Sequence, residues 1–183
     1  LAYGLFALVM GALLDDRNRR VVLSEALRAF ANYLRAKAAA FDPAETHKPA
    51  LRALIEANGV LAENFQTARD MIYAGRMTER QLRYANALTS LVDCFEQILS
   101  SDADIEILRR STHRDLLRRM RALTGDFAND IENLIVILAA PHATVEPPDH
   151  KAQLQAIADE IARLAQTPPA DAEEEIARAA FQG

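Results

Sequence analysis

The stretch LSEALRAFANYLRAKAAAFDP, residues 23–43, carries the fold class of this chain. Leu23, Leu27, Phe30, Leu34, Ala38 and Phe41 recur at intervals of three and four, which places them on one face of an α-helix. Asp42-Pro43 then predicts a stop, because a proline ring crowds the preceding residue out of the helical region. A strand would need strict apolar and polar alternation, and no part of the sequence supplies it.

Immediately upstream lies LAYGLFALVMGALL, Leu1 to Leu14, with no charged or strongly polar side chain, followed abruptly by DDRNRR. The run is shorter than the about 20 residues that a bilayer requires. It also lacks the basic start and small-residue cleavage site of a secretion signal. The chain opens on leucine and not methionine, so this run is expected to be the truncated end of a transmembrane helix. Arg17, Arg19 and Arg20 follow within two turns, as expected where a membrane helix emerges on the cytoplasmic side. These three arginines are the candidate membrane boundary. The alternative is that Leu1 to Leu14 packs as a core helix. Continuous from Leu1 to Phe41, the helix measures about 60 Å.

Downstream, the pattern stays helical. Pro49 opens a second helix with Leu51, Leu54, Ile55, Leu61, Phe65, Ala68 and Ile72 on its stripe and Gly75 as its stop. Asn58 interrupts that stripe and is expected to fix helix register through a hydrogen bond. Thr78 and Gln81 form a capping box for a third helix, whose inward face is predicted as Leu82, Ala85, Val92, Phe95 and Leu99. Ser101 and Asp102 offer caps for a short helical turn over 103–110. A fourth long helix, Thr112 to Ala140, carries Leu116, Met120, Leu123, Phe127, Ile131, Leu134 and Leu138, with a kink allowed at Gly125. The segment PHATVEPPD is a proline-rich linker. Leu154, Ile157, Ile161 and Leu164 mark a shorter helix, and an acidic tail helix follows Pro168 and Pro169. Tyr33, Tyr73 and Tyr84 are expected at core or boundary positions.

The expected fold is all-α: an antiparallel bundle of about four long helices with a shorter C-terminal helical pair. Its parts are 1–14 as the membrane-helix end, 15–140 as the bundle, 141–149 as the linker and 150–183 as the C-terminal pair. With 183 residues, 50% of them hydrophobic and a net charge of −5, the chain is long enough for one real core and too apolar for disorder. The mildly acidic balance gives no reason to expect nucleic acid. A single cysteine rules out an internal disulfide and suits a reducing compartment.

No catalytic, cofactor-binding or metal site is expected. His47 follows Glu45 by two and His113 follows Glu106 by seven, so the Glu-x-x-His spacing of metal-binding bundles is missing. Cys94 stands between Asp93 and Glu96, an environment that disfavours a reactive thiolate, and reads as a small residue in a mostly apolar helix. Phosphate-loop, dinucleotide and nucleophile-elbow motifs are absent from the sequence. His142 and His150 flank the linker as exposed loop residues. Arg110, Arg114, Arg118 and Arg121 are predicted on one face of the fourth long helix, opposite its apolar stripe, as a candidate surface for an acidic partner or anionic lipid.

The segment ALRAFANYLRAKAAAFDP, Ala26 to Pro43, directly after a membrane-helix end, resembles the start of the soluble helical region in bacterial inner-membrane proteins of the fusaric acid resistance (FUSC) type, YccS-like branch. The resemblance continues in NFQTARDMIY, Asn64 to Tyr73, and in the basic helix around Leu116 to Leu123, and does not reach the proline-rich stretch or the tail after Pro168. It implies a transporter-like protein of the bacterial cell inner membrane, with two groups of transmembrane helices flanking a helical cytoplasmic region, and members linked to efflux of aromatic carboxylic acids. This chain then corresponds to that cytoplasmic domain, with a structural or regulatory role. Its partners are the membrane and the flanking transmembrane helices, while the small-molecule substrate crosses elsewhere and is not bound here. Self-association of copies stays open. The competing expectation is a soluble helical interaction module that uses the Arg110 to Arg121 face.

Overall fold

In the computed structural model, secondary structure is described for residues 2–42, 47–75, 77–100, 105–140, 148–169 and 172–182, with side chains described from Asp16 onward. Seven helices make up these residues: α1 (Ala2–Ala40), α2 (His47–Ile72), α3 (Glu79–Ser100), α4 (Ile105–Arg110), α5 (Arg114–Ala139), α6 (Lys151–Gln166) and α7 (Ala172–Gln182). There is no strand among them. At 1.5 Å per residue α1 alone is about 58 Å long.

The central element is α1, with α2 packed on one side and α5 on the other, while α3 touches both α1 and α2. The packing alternates in direction. Arg19, midway along α1, reaches Ala74 after the end of α2, and Arg121 early in α5 meets Asp42 after the end of α1. By contrast Lys37, late in α1, reaches Ile98, late in α3, so these two helices run parallel. Up-down-up-down order follows, as short connections favour.

One core lies along α1: Ala26, Phe30, Ala31, Tyr33 and Leu34 pack with Leu61, Phe65, Ala68 and Ile72 of α2 and Ala85, Leu88 and Leu91 of α3. The stretch that carried the family resemblance is therefore the face around which the bundle is built. Phe95 is its aromatic hub, edge-on to Phe30, Tyr33 and Phe65 at centroid distances of 6.3, 5.3 and 5.7 Å, the T-shaped arrangement that ring quadrupoles favour. A second core caps the far end of α1, where Phe41, Leu108, Leu116 and Leu117 meet Leu164 of α6 and Phe181 of α7. The C-terminal helices thus dock on the bundle through buried side chains.

Local signals hold where they rest on backbone chemistry. Gly75 takes φ +81°, the left-handed conformation that releases the chain after α2. The capping box is formed in full: the Gln81 N–H donates to Thr78 Oγ1 at 3.3 Å and the Thr78 N–H to Gln81 Oε1 at 2.7 Å.

The predicted faces need correction. Gln81 is buried because it is committed to that cap, so Leu82, one residue on and about 100° around the helix, points outward at 50% exposure. Leu99, Leu51, Ile55, Leu134 and Leu154 are exposed as well. Tyr33 is core, Tyr73 is exposed, and Tyr84 and Asn58 are half-buried. Cys94 is exposed. No break occurs in α5 at Gly125. The caps predicted at Ser101 and Asp102, Pro43, and linker residues 141–147 lie outside the described residues.

Candidate functional site

The three arginines expected at a membrane boundary do not share one role. Arg17 is exposed and Arg20 half-exposed, whereas Arg19 is only 5% exposed and its Nη2 donates to the Ala74 carbonyl at 2.9 Å. Arg19 therefore clamps the α2–α3 turn against α1. The Tyr84 phenol on α3 hydrogen-bonds to Asp16 of α1, and burial followed by the Asp16 charge pushes its pKa up.

The predicted Arg110 to Arg121 face is divided in space. Arg110 closes α4, and residues 111–113 separate it from α5, so it does not sit on the long helix as predicted. Arg114 and Arg118 are exposed, with Arg118 paired to Asp115 one turn away. Arg121 is tied at 2.5 Å to Asp42. The neighbouring Arg109 Nη1 donates to Ala40 O at 2.8 Å, a cation on the last carbonyls of α1. Part of this basic charge therefore serves the end of α1.

A groove of about 400 Å³ lies between α1, α3 and α5, lined chiefly by Leu23, Leu27, Leu91, Ile131 and Leu138. It opens because α3 packs on α1 and α2 and leaves α5 uncovered on that side. Ser90 and Cys94 are the polar-capable residues of its lining. No group of acidic, histidine and cysteine side chains suited to a metal ion occurs among the described residues. Among them, too, no helix is long and apolar enough to cross a membrane.

A family model described as FUSC-like inner membrane protein yccS matches residues 1–180. The chain belongs to the FUSC-like family. No curated protein and no solved structure matches it. The family match agrees with the resemblance in the Ala26 to Pro43 segment and extends it. It runs through the proline-rich stretch and the tail, which the resemblance did not reach, so the C-terminal pair is part of the FUSC-like region.

Sequence periodicity missed one polar cluster in this FUSC-like chain altogether. His150, expected as an exposed loop residue, precedes α6 and ties it to α5: Nε2 donates to Asp130 Oδ2 of α5 at 2.5 Å and Nδ1 to Gln153 Oε1 of α6 at 3.0 Å. Gln153 Nε2 in turn donates to Asp126 Oδ2 at 3.0 Å, which fixes the amide so that its oxygen faces the imidazole. Both ring nitrogens therefore face acceptors, an arrangement that the doubly protonated ring alone satisfies. The ring also stands edge-on to Phe127 at 5.1 Å. Asp130, then Gln153, hold the His150 pKa above the ordinary 6.5. A pKa raised on folding contributes stability fully below the unfolded value and loses it as pH climbs through the folded one. Hydrogen exchange in α6 is thus expected to accelerate as pH rises above the ordinary histidine value of 6.5, beyond the intrinsic pH effect. His150→Gln removes that extra acceleration. A wild-type profile identical to that of the variant would refute the histidine linkage.

Proposed function

We propose that this FUSC-like chain is the cytoplasmic helical domain of an inner-membrane efflux protein, joined to the membrane through the start of α1 and serving a structural or regulatory role. The observation that carries the proposal is the continuity of α1. One unbroken helix from Ala2 to Ala40 takes an uncharged run into the bundle, in a chain matched by an inner-membrane family over 1–180. A helix shared between membrane and bundle passes movement from one to the other as a rigid body. The exported compound, in the resemblance an aromatic carboxylic acid, crosses among the transmembrane helices. This domain then acts on their arrangement without binding the compound.

The exposed Cys94, the one cysteine of the chain, tests the topology. In the membrane-embedded protein, with any cysteine outside this region replaced by serine, a membrane-impermeant maleimide is expected to label Cys94 in inside-out vesicles and to spare it in intact spheroplasts. Labelling in intact spheroplasts would place the domain on the opposite side and overturn the assignment.

A further inference from the structure

The α2–α3 turn lies level with the segment of α1 that follows its uncharged run. Arg19 and Ala74, 55 residues apart, are joined by a hydrogen bond, and Tyr84 is joined to Asp16. Arg20 and Arg80 both act electrostatically on Tyr84, so the two arginines approach the same spot from different helices.

Among the described residues at this end, Arg17, Arg20, Arg69, Arg80 and Arg83 stand against Asp16, Asp70 and Glu79. Asp16 accepts a hydrogen bond from Tyr84 and Asp70 one from Gln66 Nε2 at 2.8 Å, and the arginines outnumber the acids by five to three among these residues. Arg80 and Arg83 are exposed and three residues apart on the first turn of α3, hence on one face. Beside them, the turn exposes Tyr73 at 48% and Met77 at 44%. An apolar tip flanked by exposed arginines has the chemistry of an interfacial membrane contact.

We propose that the α2–α3 turn is a membrane-docking surface for anionic phospholipid headgroups, with Arg17, Arg20, Arg80 and Arg83 supplying charge and Met77 entering the interface. The proposal rests on the α1 start being membrane-anchored. Charge complementarity and continuity with the uncharged run of α1 single out lipid over an acidic protein. Docking at a second point fixes the tilt of the bundle against the bilayer, which a single helix leaves free.

The chain contains no tryptophan, so Met77→Trp places one fluorophore at the tip. Flotation on vesicles reports anchoring by α1, and emission of the new tryptophan, with quenching by headgroup-spin-labelled lipid, reports docking of the turn. With vesicles of equal parts phosphatidylglycerol and phosphatidylcholine, the chain is expected to float and the emission to shift blue and be quenched. Addition of Arg80→Glu and Arg83→Glu, or a change to pure phosphatidylcholine, should leave flotation intact and abolish the shift and quenching. Flotation with unshifted emission on the anionic vesicles overturns the docking surface while the anchor stands. Equal shift and quenching on both lipids overturns the anionic recognition. A chain that floats on neither vesicle overturns the anchor and the docking surface with it.

Discussion

Phe30→Ala is expected to destabilise the bundle by about 3–5 kcal/mol, the range for removing a large aromatic side chain from a well-packed core. Phe30 is 2% exposed in the C-terminal third of α1, the helix that α2 and α5 both grip, and its ring meets the Phe95 hub edge-on. Truncation removes apolar burial, leaves a cavity and takes one partner from the aromatic cluster. Ile55→Ala, a residue that periodicity places on the inward stripe of α2, is expected to change stability by no more than about 0.5 kcal/mol because its side chain is 65% exposed. Urea unfolding of both variants checks this through the midpoint at unchanged slope. Equal losses in the two would mean that α2 buries the face predicted from its spacing and not the one that carries Leu54 and Leu61.

Arg178→Met is expected to release α7 from the bundle, with a loss of about 3–5 kcal/mol, the usual result of removing one partner of a buried ion pair. Arg178 is 9% exposed. Its Nη1 donates to Leu164 O at 2.9 Å and to Thr167 O, while Nε and Nη2 donate to Glu174. The guanidinium thus satisfies the last carbonyls of α6 and neutralises a carboxylate that is itself mostly buried. Without it, Glu174 loses the closest ion-pair partner described for it, His113 Nε2 standing farther off at 3.5 Å. The expected signature is local: amides of α7 and the end of α6 lose exchange protection, while α1 and α2, held by the other core, keep theirs. Adding Glu174→Leu should recover part of the loss by removing the carboxylate that Arg178 neutralised. Unchanged protection in α7 would show that Phe181 and Ala177 alone hold it.

The limits of sequence reading follow from the range of the forces involved. Helix ends depend on a few neighbouring residues, so Gly75 and the Thr78–Gln81 box are legible from residue order alone. Helix faces are harder, since an apolar stripe says that one side is buried without saying which edge of it meets a neighbour. In α3 the true face begins at Gln81, a polar residue that hydrophobic periodicity discounts, and runs through Ala85, Leu88 and Leu91. In α2 the first turns carry Leu51 and Ile55 in helical register, yet both are exposed. Charged surfaces are hardest of all. Arg114 and Arg118 remained on the predicted face, but Arg121 was claimed by Asp42 and Arg110 by a different helix.

By itself the sequence determined the all-α class, most helix boundaries, the uncharged start followed by arginines, and the family, because these depend on local spacing and residue order. Only the tertiary structure decided which polar groups serve as fasteners: Arg19 on Ala74, Arg121 on Asp42, His150 on Asp130 and Arg178 on the end of α6. A helix periodicity fixes angles around one axis, whereas these partners are chosen by how two axes cross. That geometry is set by the packing of the whole core around α1.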